Sequence, residues 1–130
     1  MSDTDFPINC TGDVVAGDTI RFTEAVFGGS HRRPVKVGER VIVARVLRDS
    51  YGADKQQHTF TLKVIASAGY QPLQAGTQTT RKGRNIYRNG TQRAAWDDEA
   101  ARSTAADEKH TRGAAARAER AIRREIEGYR

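Results

Sequence analysis

Cysteine is all but absent from this sequence: Cys10 stands alone among 130 residues. That excludes an intramolecular disulfide, a Cys/His zinc cluster and a CxxC redox pair, and it points to a reducing compartment. Long apolar runs are missing too. Nothing approaches the roughly 18 consecutive apolar residues that span a bilayer. The first residues carry Asp3 and Asp5 where a signal peptide would have a basic segment and an apolar stretch. The expectation is a cytoplasmic protein with no membrane partner. Histidine is equally sparse. His31, His58 and His110 form no HxH, HExxH or Hx3H pair, so no metal set and no cofactor is implied. Cys10 has no activating basic neighbour. A catalytic reading would require Asp18, Glu24 and His58 to share a cleft; no catalytic residue is assigned, and the chain reads as non-enzymatic.

Apolar residues are also fewer than usual, 37% of the chain against 29% charged, where a globular domain has about 45–50% apolar residues counting glycine. A compact β-rich module over residues 1–96 with a charged appendage over 97–130 accounts for the shortfall. The charge is unevenly placed. Residues 1–29 carry a net −4, residues 30–66 and 67–93 carry +5 each, and residues 94–130 balance at zero, for a total of +6. A single-sign field in the middle of a chain concentrates anionic partners.

Three segments read as strands. In Asp18–Glu24, Ile20 and Phe22 alternate with Thr19, Arg21 and Thr23; in Glu39–Arg48 a β-branched run has apolar residues on both faces; in 57–66, His58, Phe60, Leu62 and Val64 alternate with Thr59, Thr61 and Lys63. The polar RDSYGADKQQ between the last two suggests a long antiparallel hairpin with a protruding loop. Gly28-Gly29-Ser30 reads as an exposed turn. Residues 67–80 read as a connector, and residues 81–95 as a basic β-hairpin turning at Asn89-Gly90, the strongest two-residue hairpin signal. The fold class expected is α+β: a small antiparallel β-barrel or curled sheet with that hairpin and a C-terminal helical tail.

From Trp96 onward alanine, arginine and glutamate dominate, all good helix formers. Asp97 or Asp98 is the expected N-cap, and Trp96 the anchor of the junction. Asp98 with Arg102, Glu108 with Arg112 and Glu119 with Arg123 are i,i+4 pairs. Gly113 is expected to break the segment in two. Only Ile122 and Ile126 form an apolar stripe, too little to dock on a core, so the tail should be solvated or await a partner.

The candidate binding residues are Arg81, Lys82, Arg84, Tyr87, Arg88 and Arg93 in the hairpin, with Asn85, Asn89 and Gln92 interleaved, and Arg32, Arg33 and Lys36 beyond the glycine turn. Arginine forks grip phosphate, an aromatic ring stacks on bases and amides reach base edges. Nucleic acid, DNA or RNA, is the expected partner. The alternative is an inhibitor or adaptor that docks on a host protein complex, for which the acidic N-terminal segment and coreless tail are the motive.

The GDxIxF pattern of Gly17–Phe22, followed by ERVIVARVL from Glu39, resembles the opening of small PUA-like barrels of the ASCH type. The likeness implies a barrel that contacts RNA. In overall format, a basic β module with an Ala/Arg-rich tail resembles accessory proteins of bacteriophages and prophages, which implies nucleic-acid binding or the blocking of a host enzyme.

Overall fold

The computed structural model describes residues 5–51 and 58–128. In chain order the elements are β1 (Ile8–Asn9), β2 (Thr19–Ser30), β3 (Arg33–Tyr51), β4 (His58–Gly69), β5 (Gln78–Lys82), α1 (Gly83–Tyr87), β6 (Thr91–Arg93) and α2 (Glu99–Gly128). The strands form one six-stranded antiparallel sheet in the order β1-β6-β2-β3-β4-β5. Period-2 alternation dictates its core. Ile20 and Phe22 pair with Ala44 and Ile42, and Ala44 and Val46 pair in turn with Val64 and Leu62. These residues share one face, and with Phe60, Cys10, Val14 and Ile86 they form a single buried cluster.

The sheet curls strongly. Arg81 on β5 donates from Nε to Glu24 Oε2 on β2 at 2.8 Å, although β3 and β4 lie between those strands in the sheet. It does not close: β1 and β5 remain its edges. Of the two shapes the sequence allows, the structure is the curled sheet.

The three long strands lie on the three expected segments and run beyond them, β2 to Ser30 and β3 from Arg33 to Tyr51, and β3 and β4 form the expected hairpin; its loop lies outside the described residues. β4 runs on to Gly69 and β5 starts at Gln78, so the connector shortens to residues 70–77. The expected basic hairpin of 81–95 is not there. Gly83–Tyr87 is helical, Gly83 and Ile86 face inward at i,i+3 spacing, and Thr91–Arg93 pairs with β1 and β2 instead of doubling back on residues 84–88. The Asn-Gly signal describes the backbone correctly and the partner wrongly. Gly90 has φ 85° and donates its N–H to the Tyr87 carbonyl at 3.1 Å, so it ends a helix, where positive φ is needed as much as in a hairpin turn.

The tail is one helix of 30 residues that runs through Gly113, which is buried. Asp98 caps it, accepting from the N–H groups of Ala100 and Ala101. Contrary to expectation it docks, and it does so through cations. Arg102 and Lys109 are buried, and Arg112 reaches Asp49 on β3 at 3.2 Å. Arg102 and Arg112 therefore reach across to Asp18 and Asp49, not along the helix to Asp98 and Glu108. The Arg123 side chain of the third expected pair lies outside the described residues, as does that of Ile126, while Ile122 is exposed.

Between Ala25 and Glu39, β2 and β3 pair only with each other, so the sheet extends into a two-stranded arm. A free two-stranded ribbon is barely stable in water. Its base is pinned by Arg40, which donates to Glu24 Oε1 at 2.7 Å and to the Gln71 carbonyl at 2.9 Å. Tyr70 lies so close over Gly38 that a Cβ there would sit 2.6 Å from its own.

Candidate nucleic-acid interface

The nine expected binding residues divide into two groups. Three are tied into the fold. Arg93 is buried and grips Glu99 with both terminal nitrogens, at 3.0 and 2.8 Å. Tyr87 lies half-buried, its ring edge-on to Phe60 and its hydroxyl accepting from the Val14 N–H at 3.1 Å. Burial pushes the Tyr87 pKa further up from its ordinary value. Tyr87 therefore cannot stack on a base, and the expected role fails because Ile86 and Tyr87 serve the core. Arg81 is committed to Glu24, Thr79 and the Thr80 carbonyl.

The other six are exposed. Lys82, Arg84 and Arg88 surround α1, and Arg32, Arg33 and Lys36 lie at the tip of the arm. Lys36 meets Glu39 at 2.6 Å, but both side chains are half in water, where an ion pair contributes little. The turn itself is the exposed one expected: Ser30 pairs with Arg33, and Gly29 takes φ 83°.

Where the arm leaves the sheet beside α1 there is a cleft of about 240 Å³, lined by Glu24, Ala25, Phe27, Arg40, Arg81, Asn85, Arg88 and Asn89. Three arginines face one carboxylate. Burial works against the charged form of Glu24, yet hydrogen bonds from Arg81 and Arg40 outweigh it and lower its pKa below the ordinary value. Glu24 is therefore an anion whose charge is already answered, and the cleft keeps a positive excess. Asn89 donates from Nδ2 to the Thr23 carbonyl at 3.0 Å, fixing α1 against β2.

Phe27 was not among the expected residues. It is 56% exposed at the cleft's rim. Its signal was available: Ile20, Phe22 and Val26 hold even positions on β2, and Phe27 breaks that phase just before Gly28-Gly29. A register shift between Val26 and Phe27 accompanies the break.

The acids considered for catalysis do different work. Asp18 is fully buried and accepts from Trp96 Nε1 at 2.7 Å, from Arg102 Nε and Nη2 at 2.8 and 2.9 Å, and from the Val15 N–H at 2.9 Å. Trp96 thus anchors the junction as expected, its ring covering Gly17. Lys109 donates to the Val14 carbonyl and sits 5.2 Å from the centre of the Phe60 ring. Asp18 and Glu24 belong to separate networks, and the His58 side chain lies outside the described residues. Cys10 is buried, and burial, then the nearby Asp18, push its pKa up to about 12. Among the described residues no group of three or more His, Cys, Asp and Glu could hold a metal ion, and no helix is long and apolar enough to cross a membrane.

Residues 10–96 match the sequence profile of a family described as a domain of unknown function, DUF7699. The chain belongs to this family. The DUF7699 match begins at buried Cys10 and ends at Trp96, and so takes in the whole sheet except β1, together with the tryptophan that holds Asp18. Over 123 residues the chain is 39% identical to the zinc finger CCCH domain-containing protein 62 of Oryza sativa subsp. japonica, an alignment that covers 91% of this chain and 18% of that protein. The chain therefore spans less than a fifth of the relative's length. A CCCH finger places three cysteines and a histidine on one metal; with one cysteine, this chain carries no such finger. No solved structure matches the chain.

Proposed function

We propose that this DUF7699 protein is a non-enzymatic nucleic-acid-binding module that grips the phosphate backbone where the arm meets α1. The observation that carries the reading is the charge at that junction. Lys82, Arg84 and Arg88 are exposed, Arg40 and Arg81 face the single carboxylate of Glu24, and the arm presents Arg32 and Arg33 beyond them. The guanidinium groups of Arg84, Arg88, Arg32 and Arg33 pair with no described carboxylate, and such groups suit phosphate oxygens, which accept their forked donors. A β-ribbon with basic side chains is also one of the shapes that nucleic-acid grooves admit.

The test is binding of the whole chain to short labelled single-stranded and duplex DNA and RNA, followed by fluorescence anisotropy at low and moderate salt. The reading expects affinity that falls steeply with salt, because each neutralised phosphate releases counterions. Absence of binding at low salt would overturn it and leave an acidic protein surface as the partner the charge fits.

A further inference from the structure

We propose that the cleft between the arm and α1 is a site for one unpaired nucleotide of a nucleic-acid strand. The inference rests on the nucleic-acid reading above and goes beyond it, because a backbone grip alone needs no cleft. At about 240 Å³ the space has the scale of one nucleobase with its sugar, below the roughly 300–1,000 Å³ of ordinary drug-sized pockets.

Its walls divide by chemistry. Four of its lining groups already have partners: Glu24 is held by Arg40 and Arg81, and Asn89 is tied through Nδ2 to the Thr23 carbonyl. The rim is open. Phe27 presents a ring that is 56% exposed, and stacking on an aromatic face suits any base. Asn85 and Arg88 line the same cleft, and neither side chain makes a hydrogen bond or ion pair with a described residue. An amide both donates and accepts, which matches the mixed donors and acceptors of a base edge. A guanidinium beside it fits the adjoining phosphate.

The division of labour follows: Phe27 stacks, Asn85 meets the base edge and Arg88 holds the phosphate. A base can take that position only after leaving its neighbours, so single strands, loops and flipped-out bases are favoured over intact duplex.

The experiment compares the full-length wild type with Phe27→Ala and Phe27→Tyr. The probes are a labelled oligodeoxyadenylate, a labelled oligoadenylate and a duplex of equal length, all at one salt concentration. Phe27→Ala should bind both single strands roughly tenfold or more weakly, as expected when one stacked base loses its aromatic partner, and should bind duplex as the wild type does. Phe27→Tyr should retain single-strand affinity. The DNA and RNA arms show which sugar the cleft accepts. Single-strand binding unchanged in Phe27→Ala, or weakened equally on duplex, would overturn the nucleotide site while leaving the backbone grip intact. Wild type that binds none of the probes would overturn both readings together.

Discussion

Asp18 accepts hydrogen bonds from four donors contributed by Trp96, Arg102 and the chain's own turn, and it is sealed from water. Removing one partner of a buried ion pair costs about 3–5 kcal/mol, because the other is left charged and unanswered. Asp18→Ala should lose stability on that scale, read as a lower denaturant midpoint; an unchanged midpoint would show that Arg102 finds another partner. Cys10 gives a second residue-level prediction. With its pKa pushed up to about 12 by burial, it is almost wholly protonated at neutral pH, and the thiolate is the reactive form. Iodoacetamide should leave the folded protein unmodified and label it once unfolded. Glu24 sets the acid limb. Its folded pKa lies below the ordinary value of 4.5, so the unfolded chain binds more protons, and the stability Glu24 contributes is present above that value and lost as pH falls through the folded pKa. Glu99, held at about 2 first by Arg93 and then by the Trp96 N–H, acts in the same sense. Glu24→Gln should lower stability at neutral pH and flatten the acid limb of thermal melts; an acid limb as steep as the wild type's would assign the dependence elsewhere.

At the scale of elements, the arm depends on backbone that tolerates no side chain. Gly38→Ala would drive a methyl into Tyr70, and overpacking of this kind costs about 1–3 kcal/mol. The melting temperature should fall, and a melt like the wild type's would mean that Tyr70 simply swings aside. β2 and β4 were legible because alternation over seven or more residues has one reading, and β3 because a β-branched run favours a strand. α1 was not: GRNIY is too short to show a helical period, and Asn89-Gly90 specifies a positive φ without saying which element needs it. The docking of α2 escaped for a different reason. Apolar spacing is the usual sign of a buried helix face, and this face is made by Arg102 and Lys109, whose partners Asp18, Asp13 and the Val14 carbonyl lie 84 or more residues away in the chain. Nothing local distinguishes those cations from solvated ones.

Across the whole molecule, the basic character of the central chain was readable from its charge partition, and six of the nine expected residues do reach the surface. Arg81 and Arg93 turned inward because an arginine beside a carboxylate and an arginine awaiting phosphate look alike until the fold places Glu24 and Glu99 next to them, and Tyr87 did so because its ring packs edge-on to Phe60. In the proposed site Phe27 replaces Tyr87 as the stacking aromatic, and the grip lies at the junction of arm and helix instead of on a hairpin. The account stands on that junction as a phosphate-binding surface. The most direct test is the salt dependence of oligonucleotide affinity for the wild type and for Arg84→Ala/Arg88→Ala. Each phosphate contact contributes about 0.7–0.9 to the slope of log affinity against log salt. The double variant should bind more weakly with a slope reduced by roughly 1.4–1.8; equal affinity and an equal slope would place the interface elsewhere on the protein.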